Sequence, residues 1–484
     1  MASNQLKNQH LMWRAGFGPA AAQLSEFANL KPTDLYHALQ KASAKKPEYL
    51  DATDDYLKGL VQGIQNEGKR LQQLDKQDKK NVMQQVRYAI RNLNLLWLSK
   101  MVDSDQQLLE KMAFFWHGHF ASRNLNVFYQ QEMLQVIREN ALGSFRDLLY
   151  GVSKSAAMLN FLNAQQNRKD HPNENFAREV MELFTLGRGN YTEHDIKEAA
   201  RAFTGWGSNL KGDFMFRKFQ HDEGSKTVLG KSGNFIGEDV LDILLEQKQC
   251  AKYITQKVYR FFVNENVDQQ RVSWLADRFY KSDYNIGKLM EDIFTSDWFY
   301  DDKNIGTKIK SPVELLAGIQ RIMPMQLENE EALLLVQRLL GQVLFYPPNV
   351  AGWPGGKSWI DSSTVMLRMR LPNLLNEQDD FNVRPKSDDD QMMGMMDKQQ
   401  VSSKKAVGAI GKPIDVTIDW KPYMHAFENV SREALVPTLN ATLLQVPPTF
   451  ATDLIKTYAD GSSRDAFIRS ASFLIMSTPE YQMC

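Results

Sequence analysis

The feature that most constrains this chain is a three-and-four spacing of apolar residues. It recurs over the first 375 positions, with glycine or proline between the runs. Within 79–101 it is carried by Val82, Val86, Ala89, Ile90, Leu93, Leu96 and Leu98. That spacing lays one apolar stripe along a helix and leaves the opposite face to water. The same pattern predicts helices over Phe176–Leu186, Glu238–Val263, Arg271–Phe279, Ile286–Phe294, Pro312–Met323, Glu330–Leu340 and Thr364–Leu375. Ser104 with Gln107 three residues later reads as a capping box. It precedes the stripe Leu108, Met112, Phe115 and Trp116, and Gly118 is placed to end that helix. Gly187 stops the Phe176–Leu186 helix and Thr192 caps the next, which runs through Ile196, Ala199, Ala200 and Phe203 to Gly205. Gly187-Arg188-Gly189-Asn190 is then the turn of an αα-hairpin.

Period-two signal is scarce. Phe214–Phe219 reads as a short strand with Lys226–Leu229 as its hairpin partner. The expected fold is therefore all-α, mostly helical, with at most one short β-hairpin near 214–229. Three regions are expected. Residues 1–375 form a main helical domain, 376–420 a mobile linker or lid, and 421–484 a C-terminal helical segment packing on the main domain. The linker carries Asp388-Asp389-Asp390 and Met392-Met393-Gly394-Met395-Met396 in a Lys/Gln/Ser-rich stretch without apolar period. Its methionines read either as a soft contact or as disorder.

Composition narrows the function. Lys plus Arg and Asp plus Glu number 58 each, so no net field draws nucleic acid, and none is expected as a partner. Two cysteines, Cys250 and Cys484, do not make a disulfide framework. The polar start Met1-Ala2-Ser3-Asn4-Gln5-Leu6-Lys7 lacks the pattern of a leader, and no apolar run reaches the roughly 20 residues that span a bilayer. A cytoplasmic location is the expectation on that ground. No G-x-S-x-G elbow, HExxH pair, CxxC pair or dinucleotide fingerprint occurs. Gly230-Lys231-Ser232 lacks the earlier glycine of a phosphate loop, since position 225 is Ser.

Six segments then stand out together. They are His10-Leu11-Met12-Trp13-Arg14-Ala15-Gly16-Phe17-Gly18, Phe115-Trp116-His117-Gly118-His119-Phe120, the run from Asn175 to Leu183, the run from Glu198 to Trp206, His221-Asp222-Glu223-Gly224-Ser225-Lys226-Thr227, and Asn349-Val350-Ala351-Gly352-Trp353-Pro354. With these the chain resembles the bacterial domain-of-unknown-function eighteen-hundred family over nearly its whole length. The resemblance implies a bacterial source and no defined chemistry. It implies relatives encoded beside a protein like the phosphatase–sulfatase superfamily, many of them exported, which leaves export open here.

The candidate site residues come from the same segments. His117 and His119 are metal candidates: on extended backbone an H-x-H pair points both rings to one side, whereas on a continuing helix they diverge by about 200°. The bland alternative is an aromatic-flanked pair buried in packing. Glu179 and Glu182 share one helix face and Arg178 can pair with Glu182, a setting that splits acid and base roles; equally, this is a solvated ion pair. His221 and Asp222 are further catalytic candidates on a loop. Arg14 beside its glycine turn, Arg201 and Lys226 are anion-ligand candidates. Asn349, Trp353 and Trp359 lie on a proline-stiffened loop and offer flat faces to a sugar or aromatic ring, or wedge the loop against helices.

Three functions follow as expectations. The first is a metal-assisted or acid–base hydrolase or transferase, with a divalent metal as its cofactor. The second is a helical scaffold docking a phosphatase/sulfatase-superfamily-like protein. The third is a glycan-binding module using Trp353 and Trp359.

Overall fold

The structure, a computed structural model, describes residues 2–59, 75–209, 211–376 and 416–484. Its axis is the Gln107–His119 helix, in which every residue but Gly118 is buried. A helix apolar on all sides belongs inside a core. This one is enclosed by the Asn4–Ala15, Pro32–Ala42, Lys76–Asp103 and Val127–Asn140 helices. The charges it carries inward are matched one by one. Glu110 receives the Arg138 guanidinium at 2.6 Å and the Trp97 indole N–H at 2.9 Å. Lys111 reaches Glu314 at 2.5 Å and donates to the Trp13 carbonyl at 3.0 Å. Such pairing is needed because an isolated buried charge costs several kcal/mol, on the order of its desolvation.

The start and end of this helix differ from the sequence reading. Ser104 is the C-cap of the preceding Lys76–Asp103 helix, and its hydroxyl accepts from Gln106 N–H at 3.0 Å. Gln107 does not close a capping box. Its side chain donates to the Met101 and Ser104 carbonyls and accepts from Phe17 N–H, tying three segments together. Nor does Gly118 end the helix: Phe120 N–H still bonds the Trp116 carbonyl at 2.8 Å. The buried side chains of His117 and His119 hold the helix through the glycine.

The Phe176–Leu186 expectation resolves into two pieces. An α-helix spans Asn175–Glu179, and a π-helical turn follows over Val180–Thr185. The Thr185 hydroxyl donates to the Val180 carbonyl at 2.7 Å, and Leu186 N–H bonds Met181, five residues back. The extra residue per turn re-aims the last carbonyls of this element. Thr192 caps the next helix, Glu193–Ala202, through a capping box with Asp195, as its sequence indicates.

Strands are few but are not the hairpin expected. Among the described residues the sheets are three antiparallel pairs. Strand β1 (Trp206–Ser208) pairs with β2 (Phe214–Phe216), and β3 (Lys226–Val228) with β4 (Lys231–Gly233). Strand β5 (Met325–Leu327) pairs with β6 (Val416–Ile418). Phe214–Phe216 thus turns back on the end of the preceding helix rather than forward to Lys226. Leu229 and Gly230, both with positive φ, form the two-residue turn between β3 and β4, the chirality that a tight hairpin requires. The mostly helical class stands, with three small sheets in place of one hairpin.

The linker or lid expected over 376–420, with Asp388–Asp390 and Met392–Met396, lies through residue 415 outside the described residues. The C-terminal helices Lys421–His425, Leu435–Leu443, Thr452–Tyr458 and Arg464–Met476 join the main body. Gln9 donates to the Ala441 and Thr442 carbonyls, and Cys484 exchanges backbone hydrogen bonds with Lys308. Among the described residues, no helix is long and apolar enough to cross a membrane.

Candidate functional site

A cavity of about 520 Å³ opens where four segments meet. They are the end of the Gln107–His119 helix, the Lys248–Phe262 helix, residues 308–314 and the loop 351–359. The loop is shaped by its own sequence. Asn349 accepts Ala351 N–H on its side chain and Gly352 N–H on its carbonyl, a local Asx turn. Gly352 and Gly356 then take φ of +81° and +55°, where a β-carbon is strained. At 352 a β-carbon would also strike the Gly118 carbonyl, and at 356 the Glu265 carboxylate. Trp353 stacks on His117, with ring centroids 5.6 Å apart and planes 23° from parallel.

The cavity walls combine rings with cations. Phe115, Phe261, Trp353 and Trp359 form apolar surface; Lys257, Arg260, Lys308 and Lys357 face two carboxylates, Glu265 and Glu314. Glu314 is already committed. One of its oxygens holds Lys111 at 2.5 Å and Lys308 at 2.7 Å, and the other accepts Ser311 N–H at 2.8 Å. Burial would raise the Glu314 carboxyl, but the two ammonium groups hold it well below the usual range. Lys308 also sits 3.9 Å from the Phe261 ring centroid. The balance is positive, so an anion is the ligand charge these walls favour.

His119 and Lys257 add proton chemistry. The His119 Nε2 lies 3.2 Å from the Phe184 carbonyl, at the end of the π turn. A carbonyl only accepts, so Nε2 carries the hydrogen and Nδ1 keeps its lone pair. That Nδ1 is buried and has no partner. Burial first, and the Lys257 charge second, hold His119 well below the ordinary histidine value, so it is neutral. Lys257 is half-buried, its ammonium 5.3 Å from the Tyr253 ring centroid. Burial pushes its amine down to about 8.

The family description "Protein of unknown function (DUF1800)" matches residues 10–483. The chain belongs to the DUF1800 family. Comparison with curated proteins and with solved structures gave no match. The matched span of this DUF1800 chain contains the cavity and all the residues singled out from sequence.

Those residues fall into separate places. His117 and His119 do not converge, because the helix runs through both. His117 packs among Trp97, Phe345 and Trp353, while His119 turns to Phe184 on the other side. Burial holds His117 down to about 3. Among the described residues no group of three or more His, Cys, Asp or Glu is placed to hold a metal ion.

Arg178 does not pair with Glu182. It spans Glu174 at 3.2 Å and Glu193 at 2.7 Å, while Glu182 takes Arg188 at 2.8 Å and the Tyr191 hydroxyl. Glu179 is half-buried, and burial first, with Glu182 second, raises its carboxyl. None of the three lines the cavity.

Arg201, Asp222, Lys226 and His221 do meet, as a clasp. Arg201 grips Asp222 at 2.7 and 3.1 Å and Glu198 at 3.0 Å. Lys226 donates to the Asp222 carbonyl and to Asn234, and His221 Nδ1 lies 3.0 Å from the Thr204 carbonyl. Glu198 also accepts Thr227 N–H at 2.8 Å. These bonds fasten the β3–β4 hairpin to the Glu193–Ala202 helix, away from the cavity. Arg14 is likewise internal, donating to the Asn304 and Cys484 carbonyls. Asn349 is exposed and shapes the loop; Trp353 and Trp359 do line the cavity.

Sequence reasoning missed Lys257, Lys308 and Glu314. A signal existed for their buried companion: Glu110-Lys111 are charges inside an apolar helix stripe, and such charges need partners from elsewhere in the chain. Lys257 left no such mark, because it sits at the edge of an ordinary amphipathic stripe.

Proposed function

We propose that this DUF1800 chain binds a small anion carrying a flat ring in the cavity beneath the 351–359 loop. One observation carries the reading. Glu314 is shared by Lys111 and Lys308, which leaves Lys257, Arg260 and Lys357 with Glu265 alone against aromatic walls. Sugar phosphates, sugar acids and aromatic carboxylates fit that chemistry, so the glycan-binding reading survives in its charged form through Trp353 and Trp359. A hydrolase or transferase built on His117, His119, Arg178, Glu179, Glu182, His221 and Asp222 finds no support, since of those groups only His119 lines the cavity.

Thermal-shift and calorimetric titration with inorganic phosphate, a hexose phosphate, an aromatic carboxylate and neutral sugars tests this. The anions should raise Tm, and less so at high salt. Lys257→Met should weaken the response. Neutral sugars binding as well as the charged ones would overturn the reading.

A second reading, docking of a phosphatase/sulfatase-superfamily-like protein, is favoured by one patch. Met215, Phe216 and Phe219 are 43%, 40% and 73% exposed beside Lys169 and Lys218. Exposed rings grouped this way mark contact surfaces. Co-purification of such a protein with the wild type, and its loss with Phe219→Asp, is the expected result; equal recovery with both chains counts against it.

A further inference from the structure

We propose that Lys257 is a nucleophilic amine that condenses with the carbonyl group of an anion held in the cavity, with His119 Nδ1 as the proton acceptor. This rests on reading the cavity as an anion site, and names the substrate class as aldehyde- or ketone-bearing anions.

The geometry separates Lys257 from every other lysine at the site. Lys308 is locked on Glu314 at 2.7 Å, and Lys357 is exposed on the loop. Among the described residues Lys257 has no carboxylate partner; its ammonium lies 5.3 Å from the centroid of the Tyr253 ring, one turn earlier on the same helix. Tyr253 is itself fixed, its hydroxyl donating to the Leu183 carbonyl at 3.1 Å. Arg260 follows Lys257 by three residues and lines the same cavity, so it lies on a neighbouring position of the helix face. Desolvation disfavours an ammonium ion, and this is one way lysines are made nucleophilic. The amine value of about 8 agrees with that placement.

His119 supplies the second part. Its Nε2–H is spent on the Phe184 carbonyl, so its unpartnered Nδ1 is the basic atom. Both His119 and Lys257 line the cavity, and burial first, with the Lys257 charge second, keeps that ring neutral. The step balances. The neutral Lys257 nitrogen attacks the carbonyl carbon, an N–C bond forms, and the C=O π pair passes to oxygen. One nitrogen proton passes through His119 Nδ1 to that oxygen, giving the neutral carbinolamine; the second follows the same route as the C–O bond breaks and the C=N bond forms, so the oxygen leaves as water. Amine plus carbonyl thus gives imine plus water, with no oxidant or reductant.

The test uses the intact protein with pyridoxal 5′-phosphate as the probe, cyanoborohydride trapping and peptide mapping by mass spectrometry. Label on Lys257 should exceed that on Lys252, exposed on the same helix, by at least about tenfold, the free-amine gain of one unit in pKa. Inorganic phosphate should suppress it. Lys257→Arg should lose the label with an unchanged melting curve, and His119→Gln, which keeps a donor for Phe184, should slow trapping severalfold. Equal labelling of Lys257 and Lys252, with phosphate still raising Tm, overturns this inference and leaves the anion site standing. Equal labelling without any phosphate response overturns both.

Discussion

Gly352 rests on the carbonyl of Gly118, so closely that a β-carbon at 352 would collide with that oxygen. The contact seats the loop on the end of the helix that carries His117 and His119. It also holds Trp353 over the His117 ring. Gly352→Ala combines a strained φ of +81° with that collision. The expected loss is about 2 kcal/mol or more, with a changed tryptophan emission. Urea denaturation checks it; an unchanged midpoint would show that the loop is not seated this way.

Buried imidazoles make the fold acid-sensitive. Burial holds His10 and His119 well below their ordinary value and His117 down to about 3. The unfolded chain therefore binds more protons than the folded one below about pH 6.5. These groups' contribution is fully present above that pH and is lost as pH falls toward their folded values, by about 1.4 kcal/mol per pH unit for each ring. Denaturation midpoints measured from pH 7 to pH 4 should fall across the window, and His117→Phe should flatten the fall. A flat wild-type profile from 6.5 to 4.5 would contradict the burial.

Glu314 neutralises two lysines at once. Glu314→Gln leaves Lys111 and Lys308 buried without a counter-charge, and a loss of about 3–5 kcal/mol is expected. Arg178→Ala breaks only half-exposed pairs with Glu174 and Glu193 and should shift the midpoint far less. Calorimetry on both variants decides; similar shifts would mean the buried cluster is hydrated.

The Arg201–Asp222 clasp predicts a local effect. Arg201→Ala should speed hydrogen exchange at Thr227 and Leu229, whose amides bond Glu198 and Asp195, and leave the phosphate response of the cavity unchanged. Loss of that response would place Arg201 in the ligand site after all.

What the sequence made legible was local. The Thr192 cap and the turn at Gly187–Asn190 are set by neighbours within four or five residues and appear as read; most helix stripes do too, but 176–186 turns π-helical and 238–263 breaks into Gly237–Leu245 and Lys248–Phe262. The errors arose where distant packing outweighed local preference. Gly118 stays helical because His117 and His119 on either side of it are buried, and Gln107 bonds Phe17, ninety positions away. Asp222 was read as a catalytic candidate and Arg201 and Lys226 as anion ligands, because their spacing does not say whether such groups bind a ligand or each other. Trp353 and Trp359 were found because proline and glycine mark a shaped loop. Lys257 was not, because its setting is made by a loop nearly a hundred residues further along.

The β5–β6 pair has a mechanical consequence. Residues 416–418 close a ladder with 325–327, while Gln9 is hydrogen-bonded to the helix at 441–442. The last seventy residues are thus stitched to both the beginning and the middle of the chain. They should have no melting behaviour of their own: heat should take the whole molecule apart in one calorimetric transition.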